Sequence, residues 1–494
     1  RLLLERGDWS AAWRTVSEAE RAGVTDARLE GVRRRLERGF ELAGVALPVT
    51  DREVEALHFR CNERMIGLVV DRLLASSPVR YPAPPRTIKR IALVINSLGP
   101  GGAERQVTNL ANGLVAGEPG VEVFLLCTYL ERREQDRFYA DQLDPRVELV
   151  QYYDGGTALE PASVPSLARC AEPLELVQPS GRSQVIVQLA ATLERLRPDA
   201  VHGWLDETVV NVALTAYAVG VPRIVGAWGN MPPGVGRTLS EIETANARYL
   251  EEAHRQIARL PALVFSSNSQ RASDAYAGLM SLAPDRVHTV YNGVDERRLL
   301  EHAETATDLR AALGMPVGAL VLGSVYRFVD QKRPLLWVEI AARLAERDPR
   351  WHFVLVGDGP MRSRIERRVA ELGLGDRFHL VGVRNEVGAW FSLFDLTLMS
   401  SRTEGVSNVV VESQLCGCPV VAPDVGGLPE AIADGESGAV LDTAEPDEFV
   451  ERIEAIAFDA ATLSRLSVGA KRFARRKFSL ETLVRRYRSL LLDE

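Results

Sequence analysis

From Lys89 onward the chain runs twice through one pattern, in which a short β-rich stretch is followed by a stretch with helical spacing. The first series of β-rich runs is RIALVIN (90–96), VEVFLLCTY (121–129), VELVQYY (147–153), DAVHGW (199–204), RIVGAWG (223–229) and ALVFSS (262–267). After a joint at YNGVDERRL (291–299), the second is ALVLGSVYR (319–327), HFVLVGD (352–358), FHLVGV (378–383), LTLMS (396–400), PVVAPD (419–424) and GAVLD (438–442). Strands alternating with helices imply βαβ units, and hence parallel sheets covered by helices on both faces. The expected fold class is α/β, with two doubly wound Rossmann-like domains facing across a cleft. A cleft between two sheet edges suits an enzyme that must hold two substrates.

Residues 1 to about 85 lack any such β-run and read as helix, with apolar residues at helical spacing in LLLERGDWSAAWRTVSEAERAG and a break at Gly23. One helix-turn-helix unit of this kind resembles a tetratricopeptide-type repeat. It is expected either as an extension packed on the rest of the chain or as a surface for a protein partner. A Pro-rich joint, YPAPPRT (81–87), follows it. The domains expected are 1–85 for the helical region, 86–285 and 286–465 for the two Rossmann-like domains, and 466–494 for a C-terminal helix crossing back to the first of them. That helix, KRFARRKFSLETLVRRYRSLL, is basic and amphipathic, and its Arg-rich face is either solvated or a membrane-surface contact. Residues 154–182, rich in Pro, Ser, Ala and Gly, are expected as a surface loop.

A length of 494 residues exceeds what one hydrophobic core usually supports, which agrees with several domains. The net charge of −8 argues against a dedicated nucleic-acid binder. Five cysteines make no disulfide framework, and Cys416 and Cys418 are too close for the usual zinc pair, so reduced thiols in a cytoplasmic protein are expected. No apolar run reaches the roughly 18–20 residues that span a bilayer. The given sequence opens at Arg1, and what precedes it is left open.

Three segments carry candidate chemistry. In INSLGPGGAERQVTNL (95–110) a strand runs into a glycine turn at Gly99, Gly101 and Gly102 just before a helix, where backbone N–H groups can meet an anion. The spacing fits neither the dinucleotide fingerprint nor a Walker loop. In GSVYRFVDQKRP, Arg327 and Lys332 sit at the C-terminal end of a parallel strand, where open α/β sheets bind ligands. Two cations converging there on a diphosphate would stabilise charge on a leaving group, although each alone also reads as a surface salt bridge. In SRTEGVSNVVVESQLCGCPVVAPDVGGLPEAI (401–432), Glu404 lies in a loop, GVSN turns into a helix, and Glu412 follows on that helix. Carboxylates accept hydrogen bonds from sugar hydroxyls, and helix N-terminal amides suit a phosphate.

Taken together, GPGGAERQV, the Arg327/Lys332 pair, and Glu404/Glu412 followed by GCPVVA and a G-G-x-x-E at 426–430 resemble the retaining glycosyltransferases of family 4, which have the GT-B fold. The YNGVD joint and the VGDGP turn (356–360) add to the likeness, which covers about residues 89 to 485. The resemblance implies that the first Rossmann-like domain is the acceptor side and the second the nucleotide-sugar side. It implies that Glu404 holds hydroxyls of the transferred sugar and Glu412 the ribose. Arg327 and Lys332 would take the diphosphate, with backbone from Gly101, Gly102 and the turn of Ser407, Asn408 and Val409; backbone near Val383 and Arg384 would face the base. The activity implied is hexosyl transfer from a nucleoside diphosphate sugar to a glycan or lipid-linked acceptor, without cofactor or metal. The setting implied is bacterial polysaccharide or glycolipid assembly, in the cytoplasm or at the inner face of the membrane.

The chain departs from the family pattern at Tyr326 and Arg333, where glycine is common, and at Trp204, where many members carry a second histidine. His202 is therefore either the retained functional histidine or a strand-end histidine in a polar network. Asp206 and Glu207 are the nearest titratable alternatives for acceptor contact. GNMPPGVGR (229–237) is expected as an acceptor-side element. Two rival readings stay open: an epimerase or phosphorylase on the same fold, or a non-catalytic protein that binds a partner through its N-terminal helices.

Overall fold

The computed structural model describes residues 9–24, 26–44, 64–75, 89–117, 120–156, 158–176, 180–235, 241–301, 306–384 and 386–492. Two all-parallel sheets carry the architecture. The first contains β1 (Lys89–Ile95), β2 (Val121–Cys127), β3 (Val147–Gln151), β4 (Ala200–Trp204), β5 (Arg223–Trp228), β6 (Leu263–Ser267) and β7 (Val287–Thr289). Its spatial order is β3-β2-β1-β4-β5-β6-β7. The second contains β8 (Leu320–Val325), β9 (Trp351–Val356), β10 (Phe378–Gly382), β11 (Leu396–Leu398), β12 (Val420–Pro423) and β13 (Gly438–Leu441), in the order β10-β9-β8-β11-β12-β13. Both orders run outward from the first strand and then reverse, as in a doubly wound fold. The reversal falls between β1 and β4 in one sheet and between β8 and β11 in the other, and ligands bind outside the strand ends at such points.

The central strands are mainly apolar, as sheets buried on both faces require, while the edge strands β3 and β7 keep exposed polar residues. Leu93, Val94, Ile95 and Val201 in the first sheet, and Val321, Leu322, Phe353 and Val421 in the second, are fully buried. The edge strand β7 was not among the β-rich runs, because three residues in RVHTV are too short to show a period.

The N-terminal helices pack on the first domain. Trp9–Arg21 and Ala27–Ala43 form a hairpin closed by Gly23 in the left-handed region and by Asp26, whose carboxylate accepts from Arg28 N at 2.8 Å. Trp13 meets Phe40 edge to face, and Leu36, Phe40, Val69 and Leu73 share one core with the first domain. Their docking surface is the segment expected as a surface loop. Residues 158–176 instead form two short 3-10 turns and a helix, Ala171–Leu176, with Val164, Leu167, Cys170 and Leu174 buried. Those apolar residues recur every three or four positions, a helical period that the Pro and Ser content masked. Glu172 binds Arg38 Nε at 2.7 Å and an Arg72 guanidinium nitrogen at 2.8 Å across this contact. The Pro-rich joint at 81–87 and residues 236–240 lie outside the described residues.

The C-terminal segment is two helices, where one was expected. Ala460–Lys477 ends at the buried Phe478; Ser479 then accepts from Thr482 N at 3.2 Å and starts Leu480–Leu492. Leu483, Tyr487 and Leu491 of the second helix enter the core of the first domain beside Ile91, Leu93 and Val225. Among the described residues no helix is long and apolar enough to cross a membrane.

Candidate active site at the interdomain cleft

The loop after β8 buries Tyr326 and Phe328 and then makes a 3-10 turn, Asp330–Lys332. Arg333 leaves that turn at φ 49° and opens the helix Pro334–Arg347. A left-handed residue explains why glycine suits this place, and arginine accepts it at a cost of roughly 1–2 kcal/mol. The turn aims Lys332 at the loop after β11. Lys332 Nζ pairs with Glu404 Oε1, which also accepts from Ser401 Oγ at 2.7 Å. Backbone and amide contacts fasten the two loops together: Gln331 Nε2 donates to Thr403 O at 2.8 Å, Arg402 N to Gln331 O at 2.8 Å, and Ser400 Oγ to Lys332 O at 2.8 Å. From the other side Gly427 N donates to Glu404 O at 2.9 Å. Gly426, at φ 49°, lies so close that a Cβ there would strike Glu404 O. The glycine pair at 426–427 thus seats Glu404.

Glu412 has another environment. It lies on the helix Asn408–Leu415 and is 2% exposed, paired with the guanidinium of Arg105 from the first domain. Burial raises the Glu412 pKa and the Arg105 cation opposes the rise. Asn408, at the start of the same helix, donates from Nδ2 to Gly102 O at 3.1 Å and accepts from Gln106 Nε2 at 3.1 Å and Asn292 Nδ2 at 2.8 Å. A Cβ on Gly102 would come within 2.9 Å of the Asn408 amide nitrogen, so a larger residue there would have to displace that amide. Gln106 also holds Gly293, donating to its carbonyl at 2.9 Å and accepting from its N–H at 3.0 Å. Ser407 is buried at the N-cap, and Val409 is partly buried.

Further contacts join the lobes. Asn268, after β6, donates to Val406 O at 3.2 Å and accepts from Val406 N at 3.2 Å. Glu430, from the G-G-x-x-E, accepts from Gln270 N at 2.7 Å and Arg271 N at 2.9 Å, capping the helix Gln270–Met280 of the first domain. Beside Gly101 the Glu104 carboxyl folds back; burial raises its pKa, opposed by its own backbone N–H and by the Arg327 charge. Arg327 itself is exposed.

The structure therefore brings together Gly101, Gly102, Arg327, Lys332, Glu404, Ser407, Asn408 and Glu412 around the two switch points. Val383 is half exposed just beyond β10, and Arg384 lies over Trp390 at 5.7 Å and donates to Val381 O at 3.1 Å. His202 is set apart. It is fully buried within β4, with ring centroids 4.7 Å from Trp204 and 4.6 Å from Tyr487, and burial pushes its pKa down to about 3. Tyr487 of the C-terminal helix covers its ring, and neither ring nitrogen has a hydrogen-bond partner among the described residues, so it stands in no polar network. Sequence reasoning missed Arg105, Gln106, Asn268, Asn292 and Glu430 as site-forming residues. Their one signal was proximity to recognised marks, since GGAERQ, YNGVD and G-G-x-x-E contain four of them.

A model described as glycosyl transferases group 1 matches residues 306–473, and one described as glycosyltransferase family 4 matches residues 100–298. The chain belongs to this glycosyltransferase family. A Vi polysaccharide biosynthesis protein, VipC/TviE, of Salmonella typhi is 32% identical to this family member over 374 residues, covering 72% of the chain and 63% of the relative. A D-inositol 3-phosphate glycosyltransferase of Saccharomonospora viridis is 32% identical over 288 residues, covering 56% of the chain and 63% of the relative. The chain thus spans less than two thirds of these relatives. Among solved structures, Anabaena HepE in complex with UDP and glucose matches with a TM-score of 0.64 at 20% identity, over 80% of this chain and 97% of that one. WaaG, a glycosyltransferase involved in lipopolysaccharide biosynthesis, matches with a TM-score of 0.58 at 16% identity, over 82% and 100%. These likenesses show the GT-B fold.

Proposed function

We propose that this family member transfers a hexosyl group from a nucleoside diphosphate sugar to an acceptor hydroxyl, with retention at the anomeric carbon. The observation that carries the reading is the Lys332–Glu404 pair at the β8/β11 switch point, placed with Arg327 opposite the glycine turn after β1. Glu404 holds hydroxyls of the transferred sugar and Glu412 the ribose. Arg327 and Lys332 take the diphosphate, aided by backbone at Gly101, Gly102 and Ser407 to Val409, while backbone at Val383 and Arg384 faces the base. The bond from the anomeric carbon to the phosphate oxygen breaks as the acceptor oxygen bonds to that carbon from the same face. The acceptor proton passes to the leaving phosphate. Two cations beside that phosphate stabilise the developing charge, so the reading needs neither a protein base nor a metal. The relative named for Vi polysaccharide biosynthesis supports a glycan or lipid-linked acceptor in polysaccharide assembly.

A thermal-shift panel of nucleotide sugars tests the reading, since a donor raises apparent stability with its occupancy. UDP-glucose, the ligand of a fold neighbour, is the first probe. The donor found is then incubated with EDTA and candidate acceptors, and the product anomer is read by NMR. A donor epimerised without acceptor, or an inverted product, would sink the reading.

A further inference from the structure

The nucleotide-sugar reading assigns Glu412 to the ribose but leaves unexplained why this carboxylate meets a cation from the opposite domain. Arg105 stands on the helix Gly102–Gly117, which follows the glycine turn of the first domain. Its guanidinium pairs with Glu412 Oε1, and among the described residues no other cation is paired with that carboxylate. The same turn of helix supplies two further anchors to the helix Asn408–Leu415: the Gly102 carbonyl and the Gln106 amide both bind Asn408. Three successive contacts therefore tie the start of one domain's first helix to the helix that carries Glu412.

From this geometry we infer that Arg105 is a positioning residue of the donor site, by which the acceptor-side domain orients the ribose-binding carboxylate. The inference rests on the donor reading above. Arg105 acts on the nucleotide through Glu412. The ion pair draws one carboxylate oxygen toward Arg105, and the other oxygen is left to accept from a hydroxyl. A donor site shared in this way is complete only when the two lobes are closed on each other. Donor affinity then reports closure, and any change that parts the lobes weakens nucleotide binding without touching a nucleotide contact.

Calorimetric titration of the full chain with UDP, GDP, TDP, ADP and CDP first identifies a nucleotide that the wild type binds. Arg105→Ala is expected to raise its Kd at least tenfold, and donor KM in step, with kcat changed less than threefold. Arg105→Lys keeps the charge but loses the planar fork, and is expected to recover part of the affinity. In a Glu412→Gln background, Arg105→Ala is expected to change Kd less than twofold, because the two residues act as one unit. Unchanged Kd in Arg105→Ala with a normal melting temperature, or additive losses in the double variant, overturns the inference. Should Arg105→Ala fail to fold, the same cycle with Arg105→Lys decides it. A wild type that binds none of the five nucleotides overturns the donor reading and this inference together; wild-type binding indifferent to Arg105 overturns this inference alone.

Discussion

Glu404 and Glu412 belong to one motif, eight residues apart, yet their carboxylates are completed from opposite sides of the molecule. Glu404 is served by its own domain: Lys332 and Ser401 bind it, and the glycine pair at 426–427 seats its backbone. Glu412 is served by the other domain, through Arg105. The first site is assembled when the second domain folds. The second site is assembled when two folded domains meet. A spacing in the sequence carries no information about this difference, because it records where the acids sit and not which surface arrives opposite them.

The comparison breaks first at Lys332. Lys332→Ala is expected to lower turnover by about 100-fold or more, the scale on which removing one preorganised electrostatic group acts. Its melting temperature should stay within a few degrees of the wild type. Near-normal turnover with a labelled donor would remove Lys332 from the chemistry and leave the pair with Glu404 as structure.

Next in size comes the cross-domain pair, where Arg105→Ala is expected to cost roughly tenfold in nucleotide affinity, with the smaller effect on kcat that loss of ground-state positioning implies. A larger effect on kcat than on Kd would reverse the ranking of the two sites.

Asn408→Ala probes the same interface without touching a charge. It leaves the Gln106 and Asn292 amides and the Gly102 carbonyl short of a partner, which is expected to cost about 2–3 kcal/mol in denaturant unfolding. A loss confined to one of two resolved transitions would show that the lobes unfold separately.

His202 serves as the contrast to both acids, with an effect confined to acid pH. Its folded pKa is pushed down to about 3, so the unfolded chain takes up the proton first as pH falls below about 6.5. Stability contributed by the neutral ring is therefore full above that value and declines as pH drops toward the folded pKa. At pH 5 the decline amounts to roughly 2 kcal/mol. His202→Leu should flatten the fall in melting temperature between pH 7 and pH 5. An unchanged slope would assign the acid sensitivity to other groups.

The two sheets, their parallel sense and the glycine turn after β1 were legible in the sequence, because apolar runs bounded by glycines leave few ways to hide a backbone. The Lys332 turn and the Glu404 loop were legible as strand ends for the same reason. The buried segment at 158–176 was not, since its Pro and Ser residues resemble a loop until Val164, Leu167 and Leu174 find the N-terminal helices to pack on. The fate of His202 was equally hidden, for the Tyr487 ring that closes over it comes from almost three hundred residues downstream. Arg105 and Glu412 are farther apart still.

By itself, then, the sequence determined what each domain is and which residues stand at its strand ends. Local pattern and burial demand suffice for that. The tertiary structure alone decided which of those residues face one another across the cleft. That depends on how two finished surfaces dock, and contacts between residues three hundred positions apart leave no periodic trace in either.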